Sequence, residues 1–364
     1  VCDYNYAFAP HVALSEFGED NDLGDTVLVI DEIHNLIDRG RGYYSPSLGA
    51  RRCRHIAEIS GELAVHGGGG ATGSAIASRI EGLCKSLARL IESTVEEYLP
   101  LGSADGSLEA GLPEDELWRL RPEFDRTFVD YLEHRRETKT FRAEDPFVEL
   151  YFDLLRFLDT LQRSHNEAFS HCVQRDRKES SIRILCLDAS RFLGEVINRS
   201  HSTIGLSATL SPPEFYRDLL GFDAQRSSSL RVPSPFPREN REVVIDTTVA
   251  TTWRERAANY DRLAQRLAEF ASAVPGNCLV LFPSYRFLTE VYERLPDIPR
   301  RVLVQQRADG ETERQQILDT LRSALFSDVL LLAVAGGVFA EGVDYPGDTL
   351  RSVAVVSPCL PTVS

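Results

Sequence analysis

Asp31 and Glu32 are adjacent acids that directly follow the apolar run Val27–Ile30. A short, continuous, β-branched run of this kind fits a buried parallel strand. The carboxyl end of such a strand is where open α/β sheets bind ligands. Two acids there suit phosphate chemistry with Mg²⁺: Asp31 to hold the metal, directly or through water, and Glu32 to orient and deprotonate an attacking water. His34 stands just past the second acid, placed to couple the site to a neighbouring loop. These residues alone also admit solvated acids at a strand end. A metalloprotease pairing is excluded, because no second His lies four positions from His34.

Other groups gain meaning beside these acids. Ser207-Ala208-Thr209 follows the apolar stretch Thr203–Leu206, and hydroxyls at a strand end can bridge acids to a second site, although SAT is also a common turn. Gly336-Gly337 follows the run Val329–Val334, and a Gly pair there lets backbone amides approach a phosphate. Glu341, Gly342 and Asp344 add polar handles, unless the segment is a plain surface loop. Ser284 and Tyr285 end the run Cys278–Phe282, where a hydroxyl reaching a nucleic-acid phosphate and a ring stacking on a base stand against ordinary turn chemistry. Gln305, Gln306 and Arg307 end the next run and are in position to reach a phosphate. The basic residues His134, Arg135, Arg136, Lys139 and Arg142 read as a solvated helix face rather than a DNA contact.

The elements that must position these groups follow from periodicity. After Val27–Ile30 comes a region read as helical from about Arg51 to Arg183, with Ile76, Ile80, Leu83, Leu87, Leu90 and Ile91 at helical spacing and a second helix at Phe147–Leu161. Gly-rich His66–Ser74 and Leu101–Pro113 read as mobile loops. Strand-like runs return at Ile182–Leu187 and Ser202–Leu206, and Pro233, Pro235 and Pro237 mark a linker. Val243–Ile245 and a helix at Trp253–Ser272 come next. Strand and helix then alternate: Cys278–Phe282, Tyr285–Leu295, Val302–Gln305, Glu311–Leu325, Val329–Val334 and Val353–Val356. Such alternation marks a parallel α/β domain.

Bulk properties narrow the function classes. A chain of 364 residues is long for one core. The 40 Lys and Arg against 55 Asp and Glu leave a net charge of −15, which argues against binding nucleic acid through bulk charge but not against a local basic channel. No apolar run approaches the roughly 20 residues of a membrane span. The seven Cys are scattered without CxxC spacing, which disfavours a zinc site and fits a cytoplasmic protein. The chain starts at Val1 and contains no Met, so its natural start is expected upstream.

In order, the chain shows DEIHN (Asp31–Asn35), GLSATLSPPEFY (Gly205–Tyr216), LVLFPSY (Leu279–Tyr285) and GGVFAEGVDYPGD (Gly336–Asp348). This ordered set resembles the XPD/DinG-like branch of the superfamily-two, DEAH-type ATP-dependent DNA helicases. The opening CDYNYAF (Cys2–Phe8) resembles the segment before the DEAH box. The resemblance implies an α/β fold with two RecA-like parallel-sheet domains of the P-loop NTPase type, both incomplete here, that bind ATP in the cleft between them. It assigns residues 1–50 and 184–232 to the first, residues 51–183 to a helical Arch-like insertion and residues 233–364 to the second. It implies ATP, Mg²⁺ and movement along single-stranded DNA, with DNA junctions as substrates and repair or replication as setting.

Carried over by motif, Asp31 would bind Mg²⁺, Glu32 would be the general base, and His34, Ser207 and Thr209 would couple hydrolysis to motion. Gly342 and Asp344 would sense the nucleotide, and Ser284, Tyr285, Gln306, Gly336, Gly337 and Glu341 would meet DNA. Three parts of the pattern depart. No G-x-x-x-x-G-K-[ST] occurs, an iron–sulfur cluster would need cysteines upstream of Val1, and the family's last motif with its arginine finger is not found. Two other readings stay open: a non-catalytic DNA-binding or partner-docking module, and a helicase–nuclease. Because a finger contributes roughly 10³–10⁵ in related enzymes, these 364 residues alone are expected to hydrolyse ATP negligibly. Brisk DNA-stimulated phosphate release by the purified chain would contradict this.

Overall fold

A computed structural model describes residues 1–364 apart from 19–20, 66–69, 101, 103–104, 141–142, 178, 324–327 and 359–364. The chain divides into two compact units, Val1–Val232 and Pro233–Ser364. The division falls at the cluster Pro233, Pro235 and Pro237, whose fixed φ and missing amides disfavour helix and ladder alike.

The first unit opens with the one-turn helix α1 (Asn5–Phe8), β1 (Val27–Ile30) and α2 (Asn35–Tyr43). Then come β2 (Ser47–Gly49), the long helices α3 (Ala50–Val65) and α4 (Gly70–Tyr98), β3 (Gly106–Glu109), α5 (Glu114–Thr138) and α6 (Pro146–Arg163). β4 (Phe169–Asp176), β5 (Glu179–Cys186), α7 (Ser190–Arg199), β6 (Ser202–Gly205) and α8 (Pro213–Leu219) complete it. β1 and β6 pair in parallel. The apolar run of β1 predicts a buried strand, yet Val27 and Val29 are 53% and 64% exposed while Ile30 is 6% exposed. Among the described residues this sheet has two strands, so alternate side chains along β1 have nothing over them.

The middle region is not purely helical. An antiparallel sheet, ordered β2-β5-β4-β3, runs through it. Its central strands carry a period-two pattern in which Val173, Ile182 and Ile184 are fully buried. The run read as Ile182–Leu187 is the end of β5, which pairs antiparallel with β4 along all eight residues. Residues 66–69 of the first Gly-rich stretch lie outside the described residues, and Gly70–Ser74 already belong to α4. In the second stretch, residues 101, 103 and 104 lie outside them and Gly106–Glu109 form an edge strand rather than a loop. The helical spacing does make α4, with Ile76, Ile80, Leu87 and Ile91 buried along one stripe and Cys84 among them.

The basic run does not behave as a solvated face throughout. His134 and Arg135 are buried, at 7% and 2% exposure, and Arg142 lies outside the described residues. Arg135 Nη2 donates to Asp145 Oδ2 at 2.9 Å, and the Tyr131 hydroxyl donates to the same oxygen at 2.6 Å. The other oxygen, Oδ1, caps α6 by accepting the amides of Phe147 and Val148. One carboxylate therefore ties two side chains of α5 to the start of α6. Burial alone would raise its pKa, but the hydrogen bonds from Tyr131 and Arg135 outweigh this and hold Asp145 below its ordinary range.

The second unit holds α9 (Tyr260–Ala273), β7 (Cys278–Phe282), α10 (Tyr285–Tyr292), β8 (Arg301–Val304), α11 (Glu311–Ser323), β9 (Val329–Val334), α12 (Val338–Glu341) and β10 (Ser352–Val355). Its four strands are parallel, in the order β10-β7-β9-β8. Every residue of β9 is buried, as a central parallel strand requires. Buried Asn277 fastens the near end of the sheet: its Nδ2 donates to the carbonyls of Leu321 and Thr349, and its Oδ1 accepts the Val329 amide, each at 2.9 Å. Val243–Ile245 forms no strand and is 72–82% exposed. The helix read from Trp253 begins at Tyr260, after a short 3₁₀ turn at Arg256–Asn259.

Asp145→Ala would strand the buried Arg135 charge, so it should destabilise the first unit by about 3–5 kcal/mol. Scanning calorimetry reads this as a lowered transition, and a loss below about 1 kcal/mol would sink the clamp. Since the folded pKa is lowered, the wild-type contribution is present at neutral pH and is lost as pH falls from near 3.8 through the folded value.

Candidate functional site

Parallel pairing sets Ile30 opposite Gly205, so β1 and β6 end at the same edge. The ladder then continues past the strands: Leu206 N donates to Ile30 O at 2.8 Å, and Ile33 N donates to Leu206 O at 3.0 Å. Asp31–His34 are thereby held against Ser207–Thr209. Gly205 is required here, because a Cβ would lie 2.6 Å from the Ile33 side chain, which is 1% exposed. Neither Gly205 nor Ile33 stood out as functional in the sequence; the close approach is visible only when the two strands are paired.

The acids and hydroxyls form one connected group. His34 Nδ1 lies 2.8 Å from Ser207 Oγ and 3.3 Å from Glu32 Oε2. Ser207 Oγ lies 3.4 Å from Glu32 Oε2 and 3.2 Å from Thr209 Oγ1. Ser207 also accepts the Thr209 amide at 3.2 Å. A hydroxyl carries one proton, so Ser207 donates to one of these neighbours at a time. Glu32 is exposed and open to solvent. Its backbone is left-handed, at φ 46°, a conformation that costs a non-glycine residue about 1–2 kcal/mol. Asp31 is exposed, and its Oδ1 accepts the Glu32 amide at 3.0 Å.

The second unit gathers its own candidates on one edge. Phe282 and Val334 end β7 and β9 opposite each other. Gln305 N donates to Leu332 O, and Ala335 N donates to Phe282 O. Ser284, Tyr285, Gln306, Gly336 and Gly337 therefore lie just past the carboxyl ends of three adjacent parallel strands. Ser284 Oγ accepts the Phe287 amide at 3.3 Å and so caps α10, which leaves its proton for another acceptor. Tyr285 is half-buried against the core rather than free on the surface. Gln305 is 5% exposed and its Oε1 accepts the Val334 amide at 3.0 Å, so it braces β9, while exposed Gln306 and Arg307 face solvent. Gly336 is left-handed, at φ 72°, with open space where a Cβ would be. Glu341, Gly342 and Asp344 are exposed on the segment after it, where a Cβ on Gly342 would crowd Val338 at 2.9 Å.

The described residues fit two inorganic groups differently. Hard carboxylate oxygens at Asp31 suit Mg²⁺, which takes one or two protein carboxylates and fills its shell with water and phosphate. A cluster of sulfur ligands does not fit: among the described residues no three His, Cys, Asp or Glu side chains gather so as to hold a metal ion, and burial pushes the Cys53 thiol up to about 12 and the Cys186 thiol up to about 11. Among the described residues no helix is long and apolar enough to cross a membrane.

Residues 267–364 match the family described as Helicase C-terminal domain. The "ATP-dependent DNA helicase CHL1" of Debaryomyces hansenii is 20% identical over 94% of this chain and 45% of its own length. The "General transcription and DNA repair factor IIH helicase subunit XPD/RAD3" of Saccharomyces cerevisiae is 26% identical over 54% of this chain and 28% of its own. The chain thus spans less than half the length of these curated relatives. A solved structure titled "XPD_Helicase" superposes with a TM-score of 0.55 at 20% identity, covering 99% of this chain and 58% of that one. The "Structure of S. tokodaii Xpd4" gives 0.52 at 16% identity, over 91% and 62%.

The left-handed turn at Glu32 makes a specific demand. Glu32→Gly should be more stable than Glu32→Ala by about 1 kcal/mol, because glycine adopts positive φ without steric cost. Denaturant titration of the two variants tests this, and equal midpoints would argue against the turn.

Proposed function

We propose that this XPD-like chain of the superfamily-two helicases is the part of an ATP-dependent DNA helicase that holds the hydrolytic acids and a DNA-facing sheet edge. The observation that carries the reading is the contact of Glu32 with both Ser207 and His34 at the carboxyl edge of β1 and β6. Strand ends in open sheets are ligand sites. There an exposed carboxylate, oriented by two polar side chains, suits a general base for water attack on a terminal phosphate. Ser207 and His34 hold that carboxylate, and Thr209 joins them through Ser207 in the group that would couple hydrolysis to motion. Asp31 would hold Mg²⁺, which when bound supplies the positive charge that offsets the phosphates.

On the second unit the same logic assigns DNA contact to the edge past β7, β8 and β9. Ser284 keeps a proton to donate to a backbone phosphate. Gly336 and Gly337 let a phosphate come close to main-chain amides, and Gln306 adds a side-chain donor. Tyr285 is half-buried against the core, so only part of its ring is open to a base. Glu341 joins that DNA-facing edge, and Gly342 and Asp344 complete the reading as the residues that sense nucleotide state. The domain assignment goes with it: residues 51–183 as an Arch-like insertion, bounded by residues 1–50 and 184–232 of the first RecA-like domain, with residues 233–364 in the second. The strongly acidic balance of the chain confines DNA contact to such local edges rather than to the surface at large.

In the full-length protein, Glu32→Gln should cut DNA-stimulated ATP turnover by about 10²–10⁴ and leave single-stranded DNA affinity unchanged. Phosphate release and fluorescence anisotropy measure the two. Turnover that survives the change removes Glu32 from the role given to it.

A further inference from the structure

Tyr4 touches the acid loop from a position 27 residues earlier in the chain. Its hydroxyl lies 2.5 Å from the carbonyl oxygen of Asp31 and 3.1 Å from that of Glu32. These two carbonyls belong to the peptide units on either side of the Glu32 Cα. Rotation about that Cα is what sets the left-handed backbone of Glu32, at φ 46°. A donor shared between both units restrains their mutual rotation, and so holds a conformation that this residue type disfavours. The Asp31 carboxylate on the Glu32 amide and the Asn35 amide on the Glu32 carbonyl hold the same turn from within.

The neighbouring residue adds a second tie. Asn5 Oδ1 accepts the Tyr43 hydroxyl at 2.7 Å, and Tyr43 is the last residue of α2. Two consecutive residues thus fasten the start and the end of the segment from Glu32 to Tyr43. Tyr4 is half-buried against the core.

We propose that Tyr4 is a positioning residue for Glu32: its hydroxyl locks the two peptide units around Glu32 and so aims the Glu32 carboxylate at Ser207 and His34. The inference rests on the general-base reading of Glu32. It does not touch substrate itself, and it goes beyond the motif residues, because no phosphate or metal chemistry points to a tyrosine at this place.

The test is Tyr4→Phe in the full-length protein, which removes one oxygen and keeps the ring. Tyr6→Phe is the control, since the Tyr6 side chain is exposed and, among the described residues, it is its backbone that is hydrogen-bonded. The expected result is a fall in kcat for DNA-stimulated ATP hydrolysis of about tenfold to a hundredfold. KM for ATP and affinity for single-stranded DNA should stay within about twofold, since the hydroxyl acts on the general base rather than on binding. Amide hydrogen exchange over Ile33–Asn35 should rise in Tyr4→Phe alone, with the thermal transition unmoved. An unchanged kcat, or a loss confined to KM, overturns the proposal. If the wild-type protein shows no ATP turnover, the general-base reading fails by itself, and unchanged exchange at Ile33–Asn35 then separately refutes the lock.

Discussion

The parallel register between β1 and β6 is the constraint on which the candidate site depends. Ile30 sits opposite Gly205, and the two hydrogen bonds that follow carry the pairing into the loops. A slip of one residue would drive a side chain into the place Gly205 leaves for Ile33 and shift Ser207 away from Glu32 and His34. The register is fixed by packing, since Gly205 alone leaves room for the buried Ile33. The chemistry of the acids is thus a consequence of how closely two strands approach, and the closest approach is made by a residue with no side chain.

The second unit obeys a similar rule with different means. Its parallel sheet is pinned at one end by Asn277 and at the other by Gln305, two buried amides that satisfy strand ends. Buried amides of this kind repay their desolvation only when every donor and acceptor is met. At the second end the brace sits directly beneath the loops that follow β8 and β9. Rigid support beneath a loop edge is what lets exposed groups such as Gln306 and Gly336 keep a defined position.

Much of this was legible in the sequence, for local reasons. The runs around Asp31, Ser207 and Ser284 carry their own strand and turn signals, and helical spacing marked α4 and α6 correctly. What could not be read depends on partners distant in the chain. Burial of Arg135 follows from Asp145, which looks like an ordinary helix cap until the two helices meet. The antiparallel sheet is hidden because the polar face of β4, with Ser170 and Gln174, resembles a loop when its neighbour is unknown. Val243–Ile245 fails in the opposite sense: it has strand-like residues and no strand beside it. Gly205 shows the same limit at the site, since a glycine in a strand is ambiguous until the side chain facing it is known.

The left-handed backbone at Glu32 has an evolutionary corollary. Folding alone would favour glycine, asparagine or aspartate at that position, so on the proposed general-base reading it is the need for the longer carboxylate that keeps glutamate there. Descendants of this chain released from that need should drift toward the smaller residues, gaining stability as they do. The identity of residue 32 in a gene copy would then record whether selection still acts on the carboxylate, even where every surrounding motif remains intact.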